Sequence, residues 1–184
     1  MRISRRGTRR VVTGVILTSM LLVFSALASA QDEGNPEVSR LLEEARTKAA
    51  ALSQDADEME AMTRTDASWE SHADTLNMMK EHVNDLARVV EKLNAARDSA
   101  SPWQRQAIDR MIPLMKELAT NTSAAINHLN QNQTRPVSGS YPEYLKENAE
   151  TAHQLSDMIS SFVQYGQARA KVNRLEQKLE TASK

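Results

Sequence analysis

The histidines of this chain, with nearby carboxylates or methionines, are the side chains that could ligate a metal ion or a haem iron. The helical segments described below bring His72, His128 and, deeper in the bundle, His153 toward one end, together with Met59 and Met62. Helical bundles hold iron or manganese with imidazole and carboxylate ligands from facing helices. His72, His128 and His153 are therefore a candidate metal site, and a metal- or haem-binding bundle is the alternative function that the sequence allows.

The spacing of the histidines favours a structural role instead. Only His72 falls on a core-facing position of its helix, whereas His128 and His153 lie beside the core-facing positions. A di-iron bundle has a Glu-x-x-His motif on each of two helices, and this sequence has one, Glu150–His153. The chain has no cysteine, so covalent haem attachment through Cys-x-x-Cys-His is excluded. We therefore expect no cofactor, and a half-buried His72 with partners at the surface.

No catalytic motif stands out in the sequence. A nucleophile paired with a base, a glycine-rich phosphate loop and a paired metal motif are all missing. From Gln31 onward the chain has 18 basic and 24 acidic residues, a net charge of −6, whereas a nucleic-acid-binding domain needs a basic face. We expect neither an enzyme nor a nucleic-acid-binding protein.

Residues 1–30 have the pattern of a cleaved secretory signal peptide. Five arginines without an acidic residue precede an apolar run over 11–27, and Ala28-Ser29-Ala30 is a small-residue cleavage signature. An uncleaved anchor is the less favoured alternative, because the apolar run is short and diluted by polar residues. Two Arg-Arg pairs each match half of a twin-arginine signal, so that export route stays open beside the general secretory one. We expect one helical domain over 31–184, periplasmic or secreted, without membrane attachment after cleavage.

Four segments carry apolar residues at alternating steps of three and four, the spacing of core-facing positions in packed helices. Helix one begins at Pro36 and fades within 63–66; helix two begins near 66–68 and ends by 98–100; helix three begins at Pro102 and precedes a loop over 131–141; helix four runs from Pro142 to about Ser183. Ser101 and Gln104 form a predicted capping box. Pro113 is expected to bend helix three without breaking it. Trp69 and Trp103 are expected to cover the core ends with their indole N–H groups near water.

These segments predict an all-α fold, an up-down-up-down four-helix bundle with long heptad-patterned helices and an extended fourth helix. A three-helix bundle with helix one swapped or dimerised is the alternative. Helix four has about ten residues more than the others, so it either bends near Gly166 or projects beyond the bundle.

The apolar residues Val172, Leu175 and Leu179 lie at coiled-coil spacing near the end of helix four. We expect this stripe to pack on helix one; the alternative is a docking helix for another chain. The favoured function is a non-enzymatic interaction module of the cell envelope. It would bind a protein or peptide partner through an exposed groove or the projecting fourth helix, and a homodimer is one form that this could take.

Overall fold

The computed structural model describes residues 34–183, which fold into four α-helices and one short 3-10 turn. The helices are α1 (Pro36–Met62), α2 (Trp69–Ala95), α3 (Pro102–Gln131) and α4 (Tyr141–Ala182), with the turn at Arg97–Ser99. Residues 34–183 contain no strand. The main helix pairs are α1 with α2, α2 with α3, α3 with α4, and α4 with α1. This is the predicted four-helix bundle.

The first residues of the helices follow the capping signals in the sequence. Asn35 caps α1, because its Oδ1 accepts from the backbone N–H groups of Glu37 and Val38 at 2.9 and 3.2 Å. Ser68 caps α2 by accepting from Ser71 N–H at 3.2 Å. Helix α2 ends at Ala95, before the predicted limit of 98–100, because the chain turns there into the 3-10 segment that leads to the cap of α3.

The predicted heptad positions form one continuous core. Each helix contributes buried apolar residues at spacings of three and four, which confirms the periodicity read from the sequence. Helix α3 runs unbroken through Pro113, which is exposed. The largest fully buried side chains are Tyr141, Leu42, Leu52, Met59, Leu76, Met79, Leu86, Leu93, Ile108, Met111, Leu118 and Leu145.

Helix α4 is the longest element, with 42 residues against 27, 27 and 30 in α1, α2 and α3. It continues as a single helix through Gly166 and projects beyond the bundle. The expectation that Val172, Leu175 and Leu179 pack on helix one is wrong, because these side chains are 52, 51 and 71% exposed. Within residues 34–183, none of the helices combines the length and the apolar character that a membrane crossing requires. The signal peptide predicted for 1–30 lies outside the described residues.

Candidate interaction site

The three histidines of the predicted metal site lie in two separate places, His72 and His128 at one and His153 at the other. His72 is fully buried, and its Nδ1 is hydrogen-bonded to the hydroxyl of the fully buried Tyr141 at 3.2 Å. The ring of His128 stacks on the Tyr141 ring with centroids 5.5 Å apart, and its Nε2 contacts the Ser138 hydroxyl at 3.3 Å. His72 and His128 therefore flank one tyrosine and do not converge on an empty ligand position.

His153 lies elsewhere on α4. It follows Tyr141 by 12 residues, which is roughly 18 Å along a helix axis. Its Nε2 donates to Asp57 at 2.8 Å and its Nδ1 contacts Ser53 Oγ at 3.0 Å, so it links α4 to α1 at the surface. Residues 34–183 contain no group of three or more His, Asp or Glu side chains placed to hold a metal ion. The expectation that His153 gathers with His72 and His128 is wrong.

Burial sets the protonation of the His72–Tyr141 pair. It lowers the pKa of His72 below the usual 6.5, because the charged imidazolium loses its hydration. It raises the pKa of Tyr141 far above the usual range, so the phenol is neutral. His72 Nε2 is buried and has no hydrogen-bond partner among residues 34–183. The expectation of a half-buried His72 is wrong, because this histidine is wholly inside the core.

The pair makes the stability of the bundle pH-dependent. Since the folded pKa of His72 lies below the unfolded value of about 6.5, the unfolded chain binds the extra proton as pH falls through that value. The free energy of unfolding therefore keeps the full contribution of neutral His72 above about pH 6.5. Below that pH it declines by up to about 1.4 kcal/mol per pH unit for this one proton. Urea unfolding between pH 8 and 5 measures this dependence of the free energy of unfolding on pH. The double variant His72→Leu/Tyr141→Phe is expected to lose the part of the decline that is due to His72.

A matched control for this prediction is His153→Gln, which removes an exposed histidine and is expected to keep the acid slope due to His72. At pH 8 the double variant is expected to stay within about 1 kcal/mol of the parent, because both members of a buried polar pair are replaced together. An unchanged slope in the double variant would contradict the assignment to His72.

The opposite end of the bundle is organised by Gln104. This side chain is fully buried, and its Oε1 accepts from the N–H groups of Asn35 and Ser101 at 2.8 and 3.0 Å. Its Nε2 donates to the Asn35 carbonyl at 2.8 Å and to Ser39 Oγ at 2.9 Å. The capping box predicted for Ser101 and Gln104 is present. The same glutamine also joins the start of α1 to the start of α3, 69 residues apart.

Trp103 lies beside this polar cluster and packs against the backbone of α4. A Cβ atom added to Gly166 would lie 2.6 Å from the indole, so only glycine fits the present contact. Tyr165 meets the same indole edge to face, with ring centroids 5.7 Å apart. The expectation that the Trp103 indole N–H lies near water is wrong. That group is buried and has no hydrogen-bond partner among residues 34–183.

Trp103 forms part of the wall of an open groove between α3 and α4, with a volume of about 580 Å³. The groove brings together three aromatic rings, those of Trp103, Phe162 and Tyr165. Arg110 lies 5.9 Å over the Phe162 ring, and Arg169 lies 5.5 Å over the Tyr165 ring. Among residues 34–183, none of the side chains that line it carries a carboxylate. The residues that line it are Trp103, Gln106, Arg110, Met158, Ser161, Phe162 and Tyr165. We call it the aromatic groove.

Comparison of the chain with protein-family models, with curated proteins and with solved structures finds no match. The candidate site therefore rests on its own geometry. The aromatic groove is distinguished among the cavities of residues 34–183 by three aromatic rings that line it together with Arg110. Sequence reasoning named Trp103 but did not bring Phe162, Tyr165 and Arg110 to it. The signal that could have found Phe162 and Tyr165 is the spacing of four, three and four residues from Met158 through Phe162 and Tyr165 to Arg169, which places them on one side of α4.

Proposed function

We propose that this chain is an exported, non-enzymatic interaction module whose aromatic groove binds a segment of a protein or peptide. The observation that carries the proposal is the convergence of Trp103, Phe162 and Tyr165 in one open groove between α3 and α4. Aromatic side chains supply large contact area at a low cost in side-chain entropy, and they dominate binding energy at interfaces. Rigid helices hold the three rings, so little ordering is required on binding.

The charge around the aromatic groove narrows the class of partner. Arg110 and Arg169 stand over its rings, and no acidic residue from the described part of the chain lines it. These arginines are a local positive feature in a chain that carries a net charge of −6 from Gln31 onward. A segment with an apolar or aromatic anchor and a neighbouring carboxylate complements both the rings and the guanidinium groups. Such a partner would be met in the periplasm or outside the cell, where the signal-peptide pattern of 1–30 directs the chain.

Selection from a randomised peptide display library tests this proposal. We expect the enriched peptides to carry an apolar or aromatic anchor beside Asp or Glu. The variant Phe162→Ala is expected to weaken binding of an enriched peptide by about tenfold or more, and Arg110→Glu is expected to weaken it similarly through charge repulsion. Fluorescence anisotropy of the labelled peptide measures both.

Met78→Ala is the matched control for the selection, because Met78 is an exposed apolar residue on α2 (53%), away from the groove. It is expected to leave peptide affinity unchanged. Selection that enriches no sequence pattern, or peptides whose affinity is the same for Phe162→Ala and the parent, would contradict the proposal. The thermal melting of each variant is measured alongside to confirm that the bundle remains folded.

A further inference from the structure

The end of α4 carries a second apolar face that the bundle does not use. Ile159 and Gly166 face the core, whereas Leu175 follows Ile159 by 16 residues and lies roughly 160° around the helix from it. Val172 and Leu179 flank Leu175 on that same outer side and are exposed. The stripe therefore does not continue the bundle core. It needs a partner that approaches from the opposite side of α4.

The stripe has the pattern of a parallel two-stranded coiled coil. Val172 and Leu179 occupy a positions, and Leu175 and Ala182 occupy d positions, over residues 172–182. A β-branched residue at a and leucine at d in the central layers favour two parallel strands. All four residues are exposed in the single chain. Helix α4 is already formed, so pairing does not carry the cost of helix nucleation.

The charges beside the stripe fit a second copy of this chain in parallel orientation. Lys171 is at g and Glu176 is at the following e position, so two copies in parallel form two symmetry-related Lys171–Glu176 pairs. In residues 34–183 of the single chain, neither side chain has an ion pair. An antiparallel pairing would place Lys171 against Lys178 of the second copy and lose that complementarity.

We propose that the projecting end of α4 is a homodimerisation helix, which pairs in parallel with α4 of a second copy through Val172, Leu175 and Leu179. Because the stripe faces away from the core, the two bundles lie on the outer sides of the paired helices. The proposal does not use the aromatic groove. Dimerisation would give the assembly two such grooves, and a ligand with two binding segments would then gain avidity.

Sedimentation velocity over a wide concentration range tests the dimer, with protein expressed from the full sequence. We expect a dimer that dissociates on dilution. Leu175→Asp is expected to be monomeric throughout, with a thermal melting point close to that of the parent because the residue is exposed. Lys171→Glu and Glu176→Lys are each expected to raise the dissociation constant about fivefold, and the double exchange is expected to restore it.

Lys171→Glu also reports the orientation, because the introduced carboxylate would face Lys178 of the second copy in an antiparallel pair and strengthen it. The chain has no native cysteine, so Leu175→Cys provides an independent readout: a parallel dimer should form the symmetric disulfide under mild oxidation. A parent that is monomeric at every concentration, a dimer that Leu175→Asp does not dissociate, or a tighter dimer of Lys171→Glu would overturn the proposal. Peptide binding by Leu175→Asp tests the aromatic groove separately from the dimer. The monomeric variant retains the groove and is expected to bind an enriched peptide as the parent does.

Discussion

Gln104→Ala is expected to lower the free energy of unfolding by about 3 kcal/mol. The substitution leaves the N–H groups of Asn35 and Ser101 and the Asn35 carbonyl without the side chain that satisfies them. A buried polar group left unpaired costs about 1–3 kcal/mol, and here several are lost together with a fully buried side chain. Equilibrium unfolding in urea, followed by circular dichroism, measures the loss.

The neighbouring Gln106 provides the matched control, because it is exposed on the same helix. Gln106→Ala is expected to change stability by less than about 0.5 kcal/mol. Gln104→Glu keeps an acceptor for the two N–H groups but replaces the donor to Asn35 and Ser39 with an oxygen of a buried carboxylate, so we expect a loss at least as large as for alanine. A loss below about 1 kcal/mol for Gln104→Ala would show that the bonds between α1 and α3 contribute little.

Gly166→Ala is expected to destabilise the bundle by about 2 kcal/mol, although alanine is the better helix former by about 1 kcal/mol. The reason is the Trp103 indole, which a new Cβ would approach to 2.6 Å. The indole has little room to move away, because the Gly34 backbone and the Tyr165 ring both lie close to it. A Cβ atom built on Gly34 would lie only 3.1 Å from the indole, and Tyr165 makes an edge contact with it. Thermal unfolding and urea titration measure the change.

A double-mutant cycle separates the steric cost from helix propensity. In a Trp103→Leu background the clash is removed, so Gly166→Ala is expected to become neutral or stabilising. Ala168→Gly, an exposed position two residues further along α4, gives the propensity term alone and is expected to cost about 1 kcal/mol. If Gly166→Ala stabilises the parent protein, the packing of Trp103 on α4 is not as tight as the contact indicates.

Local chemistry was sufficient to predict the helices and their packing faces. Asn35 with Pro36, and Ser101 with Gln104, place the starts of α1 and α3, because capping depends on residues two or three apart in the chain. The alternation of threes and fours identified the buried stripe of each helix, since 3.6 residues per turn brings those positions to one side. Short connections then restrict neighbouring helices to antiparallel packing.

Contacts between distant residues were not predictable in this way. Gln104 was read as a local cap, but two of its bonds cross 69 residues to Asn35. Tyr141 was assigned to the loop before helix four, yet it is fully buried between His72 and His128. Periodicity reports which side of a helix is apolar. It does not report which side chain from another helix fills the space there.

Gly166 illustrates the same limit for the candidate site. Glycine within a helix suggested a bend, because glycine weakens helices. Its role in the structure is to admit the Trp103 indole, and that contact sets one wall of the aromatic groove. The groove became visible only once α3 and α4 were placed side by side. The coiled-coil spacing of Val172, Leu175 and Leu179, in contrast, was recognisable from the sequence itself.

The measurement that tests the central claim most directly is a chemical-shift map of the isotope-labelled protein, titrated with a peptide enriched in the display selection. We expect the amide signals that shift to cluster along the aromatic groove, at Gln106, Arg110, Ser161, Phe162 and Tyr165, and the Met78 region of α2 to stay unchanged. Shifts centred on His72 and His128 at the other end of the bundle, or spread without a centre, would contradict the assignment of the aromatic groove as the binding site.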